Sequence, residues 1–323
     1  MGLMKGLVKS FTDDGYLLMD TSYLVHTIAF RTIKIYSDHF DLPDDPKDVW
    51  KINFSEDEDF MAIFNRNFIS TINKFLKKYR LHKENVVFAM DCRKIDIWRR
   101  SFFDSYKLNR IQGPAEPEGL NRGPLFEYVK EVLLPKLISD GMGVMVEYPI
   151  AEGDDIIAIS KQYIRDKNPT IKIVIITCDH DFLQLIDDNC IISTIQENIL
   201  KDKSLGSPER DLQFKILIGD GSDEIPSCFV KTRGDKDLGR GFGQKTCLRF
   251  MDEPGLLEKK FNEYPEARQQ FEINKQIIDF RLIPESIRHD VEEILNEKIV
   301  VIEVDETSIS QHVEIVETGI HSL

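Results

Sequence analysis

Apolar positions fall into two kinds of run along the chain. Short β-branched or aromatic-rich stretches at Gly15–Met19, Asn85–Met90, Gly143–Tyr148 and Ile171–Cys178 have the length and composition of buried strands, and Cys190–Ile195 makes a fifth. Between them, Ser22–Ile35, Phe60–Tyr79, Pro124–Ser139 and Asp154–Arg165 carry helical patterns. Strand and helix in alternation predict an α/β domain of three layers around a mainly parallel sheet. A parallel sheet gathers its functional groups beyond the carboxyl ends of its strands, because every strand points the same way. After about residue 205 the pattern turns helical, at Arg210–Ile218, Gln244–Met251, Glu263–Asp279 and Pro284–Asn296. The expected division is therefore 1–205 for the α/β domain and 206–323 for a smaller helical region. Gly113–Gly123, rich in Gly and Pro, reads as a loop.

Charge changes this picture locally. The 323 residues include 42 Lys and Arg against 56 Asp and Glu, a net charge of −14, which by itself argues against a nucleic-acid partner. Two segments dominate: Asp41–Asp59 has eight acids and two lysines, and Ile299–Leu323 has five acids and no Lys or Arg, so together they hold −11. Arg93–Arg110, in contrast, has six basic residues against two aspartates, interleaved with Trp98, Phe102, Phe103 and Tyr106. On charge alone this patch reads equally as a solvated amphipathic helix or as a binding surface. The five cysteines, at 92, 178, 190, 228 and 247, are scattered with no Cys-x-x-Cys pair, against both a disulfide framework and a thiolate zinc site; they are expected as buried thiols. No apolar run approaches the ~20 residues of a membrane span. The N-terminus lacks a signal-peptide run, so a cytoplasmic location is expected.

The chemistry lies in the acids that close the apolar runs. YLLMD ends at Asp20, VVFAMD at Asp91, and IVIITCDHD runs into Asp179 and Asp181; Glu152, Asp154 and Asp155 follow another strand, and LIGDGSDEIP adds Asp220 and Asp223. On neighbouring parallel strands these acids converge on one rim. Two carboxylates ~5 Å apart at an effective dielectric of ~20 repel by roughly 3 kcal/mol, so such a cluster needs cations. Hard oxygen donors without a thiolate pair suit Mg²⁺ or Mn²⁺, and two such ions suit phosphodiester hydrolysis. One Asp after a strand is ordinarily a turn former or helix N-cap, and the dipole of a helix starting at Asp154–Asp155 accounts for one of that pair. Recurrence at nearly every strand end is not explained by capping. Asp14, Asp187, Asp188 and Asp279 are read as surface or cap residues, and His180, alternating with Asp179 and Asp181, as pointing away from the rim.

These segments, with Val86–Arg110 and in the same order and approximate spacing, resemble the 5′-nuclease superfamily of flap endonucleases, most closely its T-even phage ribonuclease H branch. Gly241-Phe-Gly-Gln-Lys-Thr246 is similar to the turn of that family's helix-hairpin-helix. The resemblance implies a PIN-like three-layer domain with a helical arch at about 92–125 and a helix-hairpin-helix near 239–251. It implies a first metal cluster of Asp20, Asp91, Glu152 and Asp154 with Asp179 bridging or near it, and a second of Asp181, Asp220 and Asp223. Asp155 falls in the same acidic run, at the metal or behind its ligands. Lys107 and Arg110 would contact the scissile phosphate and Tyr106 would stack on a base. Arg93, Lys94, Arg99 and Arg100 would steer the strand. Gly241, Gly243, Lys245 and Thr246 would hold a duplex phosphate, with a K⁺ ion.

The activity so implied is that of a 5′ to 3′ nuclease with ribonuclease H activity, acting on RNA/DNA hybrid and on branched or flapped DNA in replication. It would use two Mg²⁺ or Mn²⁺ ions, work as a monomer and be recruited by a single-strand binding protein or sliding clamp, in the host cytoplasm if phage-encoded. Three departures stand out. The segment from Ser227 to Arg240 is longer than in cellular members, Phe242 and Gln244 replace Ile and Pro, and the two acidic segments have no counterpart. A PIN-type ribonuclease, which lacks 93–110 and 241–246, and a non-catalytic DNA-binding module stay open as rivals.

Overall fold

The computed structural model describes residues 15–111, 122–230 and 242–301. Its centre is a sheet of five parallel strands, β1 (Tyr16–Asp20), β2 (Val86–Ala89), β3 (Val144–Val146), β4 (Ile173–Ile176) and β5 (Cys190–Ser193), in the order β3-β2-β1-β4-β5. Leu17, Leu18, Val86, Val87, Ile175 and Ile176 are fully buried, so both faces of the sheet are covered and the strands read as continuous apolar runs. β1 and β4 pair although far apart in sequence, and the crevice where strand order reverses is where a parallel sheet receives its ligand.

On one face lie α1 (Thr21–Ser37), α2 (Pro46–Lys51), α3 (Glu58–Tyr79), α4 (Gly123–Tyr128) and α5 (Leu134–Ser139), with Leu24, Ile28, Phe64, Phe68, Leu125 and Leu134 in the core. The acidic stretch 41–59 is built into this layer. Asp45 caps α2 and Asp57 caps α3, with Asp48, Glu58 and Asp59 in first turns, where carboxylates meet the positive end of the helix dipole. A π-turn at Val129–Leu133 joins α4 to α5, where the pattern predicted one regular helix. Pro135 has no N–H to give to the turn before it and crowds that turn's carbonyl, which a wider turn relieves. Gly143 has φ +59 just before β3, and a Cβ there would stand 2.1 Å from the Val86 carbonyl oxygen, so only glycine serves.

The other face is covered by α6 (Gly153–Lys167). The chain then forms α7 (Pro208–Ile218), α8 (Gln244–Asp252), α9 (Leu256–Glu263) and α10 (Pro265–Ile278), whose own core holds Leu217, Phe229, Phe250 and Phe261. Its last helix, α11 (Glu285–Lys298), returns to the sheet and packs Ile287, Val291 and Leu295 with Ile156 and Ile159 of α6. Ile97 and Tyr106 pack with Leu212, Ile216 and Ile277, joining the basic segment to the helical region. Between β2 and α4 the described residues form 3₁₀ turns at Trp98–Ser101 and Leu108–Arg110 and no α-helix. Among the described residues no helix is long and apolar enough to cross a membrane.

Candidate active site

The carboxyl ends of the parallel strands share one edge of the sheet, and the acids gather there. Asp20 ends β1 and caps α1, accepting from the Tyr23 N–H at 2.9 Å and, across the strand-order reversal, from the Thr177 hydroxyl at 2.9 Å. Thr177 in turn accepts from the Asp179 N–H at 3.1 Å. Asp91, after β2, accepts from the Ser22 hydroxyl and, at 2.7 Å, from the N–H of Gly153, the first residue of α6. A Cβ on Gly153 would stand 3.1 Å from Asp91 Oδ1, so glycine lets the carboxylate close on the helix N-terminus.

Asp20, Asp91, Asp154 and Asp179 make no ion pair with a Lys or Arg among the described residues. Burial first, then the charges of Asp91 and Asp179, push the Asp20 carboxyl up to about 7 against the Tyr23 and Thr177 hydrogen bonds. Burial also raises Asp154 well above the ordinary range, with Asp179 adding to it and the Lys107 charge opposing it. This half of the rim is short of positive charge.

The other half is not. Burial would raise Glu152, but the Lys107 ammonium at 2.5 Å and Arg99 Nη1 at 3.0 Å, joined by the Tyr106 hydroxyl at 3.0 Å, hold it below the usual value. Asp223 meets Lys107 at 3.5 Å and also pairs with Arg110. Lys215 of α7 puts its ammonium 2.7 Å from Asp181 and 2.7 Å from Asp220. Asp220, despite partial burial, is drawn down to about 2 by Lys215 and Ser222. Burial and Asp179 outweigh Lys215 at Asp181, which rises to about 7. The buried Asp181 Oδ1 takes the Lys215 ammonium as its partner. Gly219, at φ +73 with a Cβ position only 2.5 Å from the Ile225 carbonyl oxygen, permits the tight turn that presents Asp220 and Asp223.

Several expectations need correction. Arg99 does not face a strand of nucleic acid. It is 3% exposed, bidentate on Asp155 at 2.6 and 2.8 Å, and donates Nε–H to the Ile277 carbonyl at 2.7 Å, so it is an internal strut between the basic segment, α6 and α10. Asp155 is not free to ligate a metal. Its oxygens take Arg99, the Trp98 indole N–H at 2.9 Å and the Glu152 N–H at 3.0 Å, the last closing a capping box. Tyr106 is 4% exposed with its hydroxyl on Glu152, and no face is open for a base to stack on.

The remaining basic residues lie farther out. Arg93 pairs with Asp96 at 2.6 Å, Lys94 is exposed, and Arg100 donates to the Tyr106 carbonyl at 2.9 Å. Gly243 caps α8 and is exposed with Lys245, Thr246 is half-buried, and Gly241 lies outside the described residues. Cys178, expected buried, is exposed beyond the end of β4, and His180 is exposed as well.

Sequence reasoning missed Lys215, Thr177, Ser22, Gly153 and Trp98. Lys215 alone left a signal, a lysine inside the apolar run FKILIG five positions before Asp220. Among the described residues no three His, Cys, Asp or Glu side chains already stand ready to hold one ion. In kind the donors fit a divalent ion: hard carboxylate oxygens at the strand ends, four of them without an ion pair to Lys or Arg among the described residues.

A family model described as the 5′-3′ exonuclease N-terminal, resolvase-like domain matches residues 35–208. The chain is 29% identical over 257 residues to the ribonuclease H of Enterobacteria phage T4, covering 74% of this chain and 79% of that protein. It is 29% identical over 206 residues to DNA polymerase I of Caldicellulosiruptor bescii, covering 59% of this chain and 21% of the polymerase. The chain thus spans about a fifth of the length of that larger relative. Among solved structures, a complex of the bacteriophage T5 flap endonuclease with DNA and metal ions superposes with a TM-score of 0.55 at 16% identity, over 88% of this chain and 98% of that one.

Proposed function

Because the chain belongs to the 5′-3′ exonuclease family, whose domain model covers residues 35–208, we propose that it is a divalent-metal-dependent 5′ to 3′ nuclease of the ribonuclease H and flap endonuclease type. Its substrates in this reading are RNA primers in hybrid with DNA and 5′ flaps on branched duplex, exposed during replication. The observation that carries the proposal is the quartet Asp20, Asp91, Asp154 and Asp179 at the carboxyl edge of a parallel sheet, none of them in an ion pair with Lys or Arg among the described residues and the Lys107 charge near Asp154. Asp20, Asp91, Glu152, Asp154 and Asp179 would hold one Mg²⁺ and Asp181, Asp220 and Asp223 a second, with Mn²⁺ acceptable to the same donors. Bound there, the ions would polarise a phosphodiester and make a water nucleophilic near neutral pH.

The chain's own residues do the positioning. The Lys107 ammonium, 7% exposed on Glu152 and Asp223, is placed to pass to a phosphate oxygen when a nucleic-acid backbone reaches the rim. One anionic partner is exchanged for another, so its charge is never left uncompensated, and it serves where negative charge builds up. Arg110, whose side chain is 42% exposed on Asp223, does the same from the solvent side. Arg99 fixes both, because it ties their segment to Asp155 and to α10. In the helical region, Gly243 leaves the first amides of α8 open to a duplex phosphate, with Lys245 and Thr246 next to them and a K⁺ ion as the proposed bridge. Residues 1–205 would supply most of the cutting rim, completed by Asp220 and Asp223, and the helical region after 205 would hold duplex at α8, with a single-strand binding protein or clamp supplying recruitment.

Cleavage of a 5′-labelled flap and of an RNA·DNA hybrid by the full chain, in Mg²⁺ and in EDTA, tests this reading. Product that requires Mg²⁺ is expected, and its rate on each substrate ranks RNA against DNA. If neither is cut while the flap is still bound in EDTA, the chain is a structure-specific binding module instead.

A further inference from the structure

Lys215 stands where the acidic rim would be expected to hold a cation. Its ammonium lies 2.7 Å from Asp181 Oδ1 and 2.7 Å from Asp220 Oδ2, with the side chain 22% exposed. It projects from α7, in a stretch whose neighbours Ile216 and Leu217 are buried, so helix packing fixes its root and leaves its head between the two acids. We propose that Lys215 is a resident cation of the rim, and that a second divalent ion binds at Asp181 and Asp220 only by displacing its ammonium. This rests on the reading of the rim as a metal centre and adds an order of filling to it.

Charge sets that order. Among the described residues, Asp20, Asp91, Asp154 and Asp179 make no ion pair with a Lys or Arg, so an ion arriving there has no ammonium to displace. At Asp181 and Asp220 one positive charge already sits between two negative ones. A divalent ion therefore gains less and has to break two ion pairs first.

Mn²⁺ binding to the full chain without nucleic acid, followed by calorimetry and by the electron paramagnetic resonance of free Mn²⁺, tests the order. The wild type is expected to bind one ion tightly and a second more weakly. Lys215→Met, which keeps bulk and removes charge, is expected to tighten the second site by about tenfold and leave the first unchanged. Lys215→Arg is expected to behave as the wild type. An unchanged or weakened second site in a folded Lys215→Met protein overturns the proposal. Should that variant not fold, amine acetylation of wild-type Lys215, read by mass spectrometry, gives the answer: labelling is expected to rise in step with second-ion occupancy, and constant labelling refutes displacement. A wild type that binds no Mn²⁺ removes the metal-centre reading itself, and Lys215 with it. Two Mn²⁺ ions bound with an indifferent Lys215 remove only the displacement.

Discussion

The two halves of the acidic rim are both built of carboxylates, yet they are solved differently. Asp20 is held by the Tyr23 amide and the Thr177 hydroxyl, Asp91 by the Gly153 amide and the Ser22 hydroxyl, and Asp179 by the Asp181 amide, and among the described residues none of these nor Asp154 makes an ion pair with Lys or Arg. Glu152, Asp181, Asp220 and Asp223 are matched by Lys107, Lys215, Arg99 and Arg110. An acidic cluster is thus not a uniform ligand set. Its uncompensated part is poised for an outside cation, and its compensated part is poised to exchange an internal one for a substrate or an ion.

The largest test removes a carboxylate from the uncompensated half. Asp179→Asn is expected to lower turnover by at least about a thousandfold, the scale of losing charge stabilisation in a transition state, while the metal-free protein melts no lower than the wild type. A variant inactive only because it unfolds would count against this assignment. In the compensated half, Arg99→Met strands the buried Asp155 and is expected to cost about 3–5 kcal/mol in urea unfolding, with Arg99→Lys in between. Lys107→Ala is expected to cut turnover about a hundredfold with a smaller change in KM, because its partner at the critical moment is the transition state.

Stability against pH separates Asp20 from Asp220 by sign. Asp20 takes its proton at about 7 when folded against 3.8 unfolded, so its contribution falls as pH rises from about 4 to 7 and stays lower beyond. Asp154 moves in the same direction. Asp220, at about 2, works the opposite way, its contribution being full above about 4 and lost toward 2. Asp20→Asn is therefore expected to stabilise the metal-free protein by up to about 4 kcal/mol at pH 8 and by almost nothing at pH 4, checked by paired urea curves.

Much of this was legible before the structure. The strands were visible because a parallel sheet buried on both faces needs unbroken apolar runs, and the acids were visible because a strand's last residues are local in sequence. Their pairing was not. Arg99 meets Asp155 across 56 positions and Ile277 across 178, distances over which no spacing rule operates. The same holds for α11, whose apolar stripe says that it packs but not that it returns to the sheet. The basic, aromatic segment 93–110 misled for a physical reason: its charges look solvated when read along the chain, whereas Arg99, Tyr106 and Lys107 are buried precursors of the site rather than its outer surface. Asp155 misled because capping a helix and holding a metal call for the same residue type at a strand-to-helix junction.

The most direct measurement is the thermal unfolding of the full chain in EDTA and in millimolar Mg²⁺, for the wild type and for Asp154→Asn. Mg²⁺ is expected to raise the wild-type Tm by a few degrees, the variant to lose most of this rise, and the variant in EDTA to melt above the wild type. Equal Mg²⁺ shifts in both proteins, or an Asp154→Asn protein less stable than the wild type in EDTA, would contradict an uncompensated half waiting for a cation.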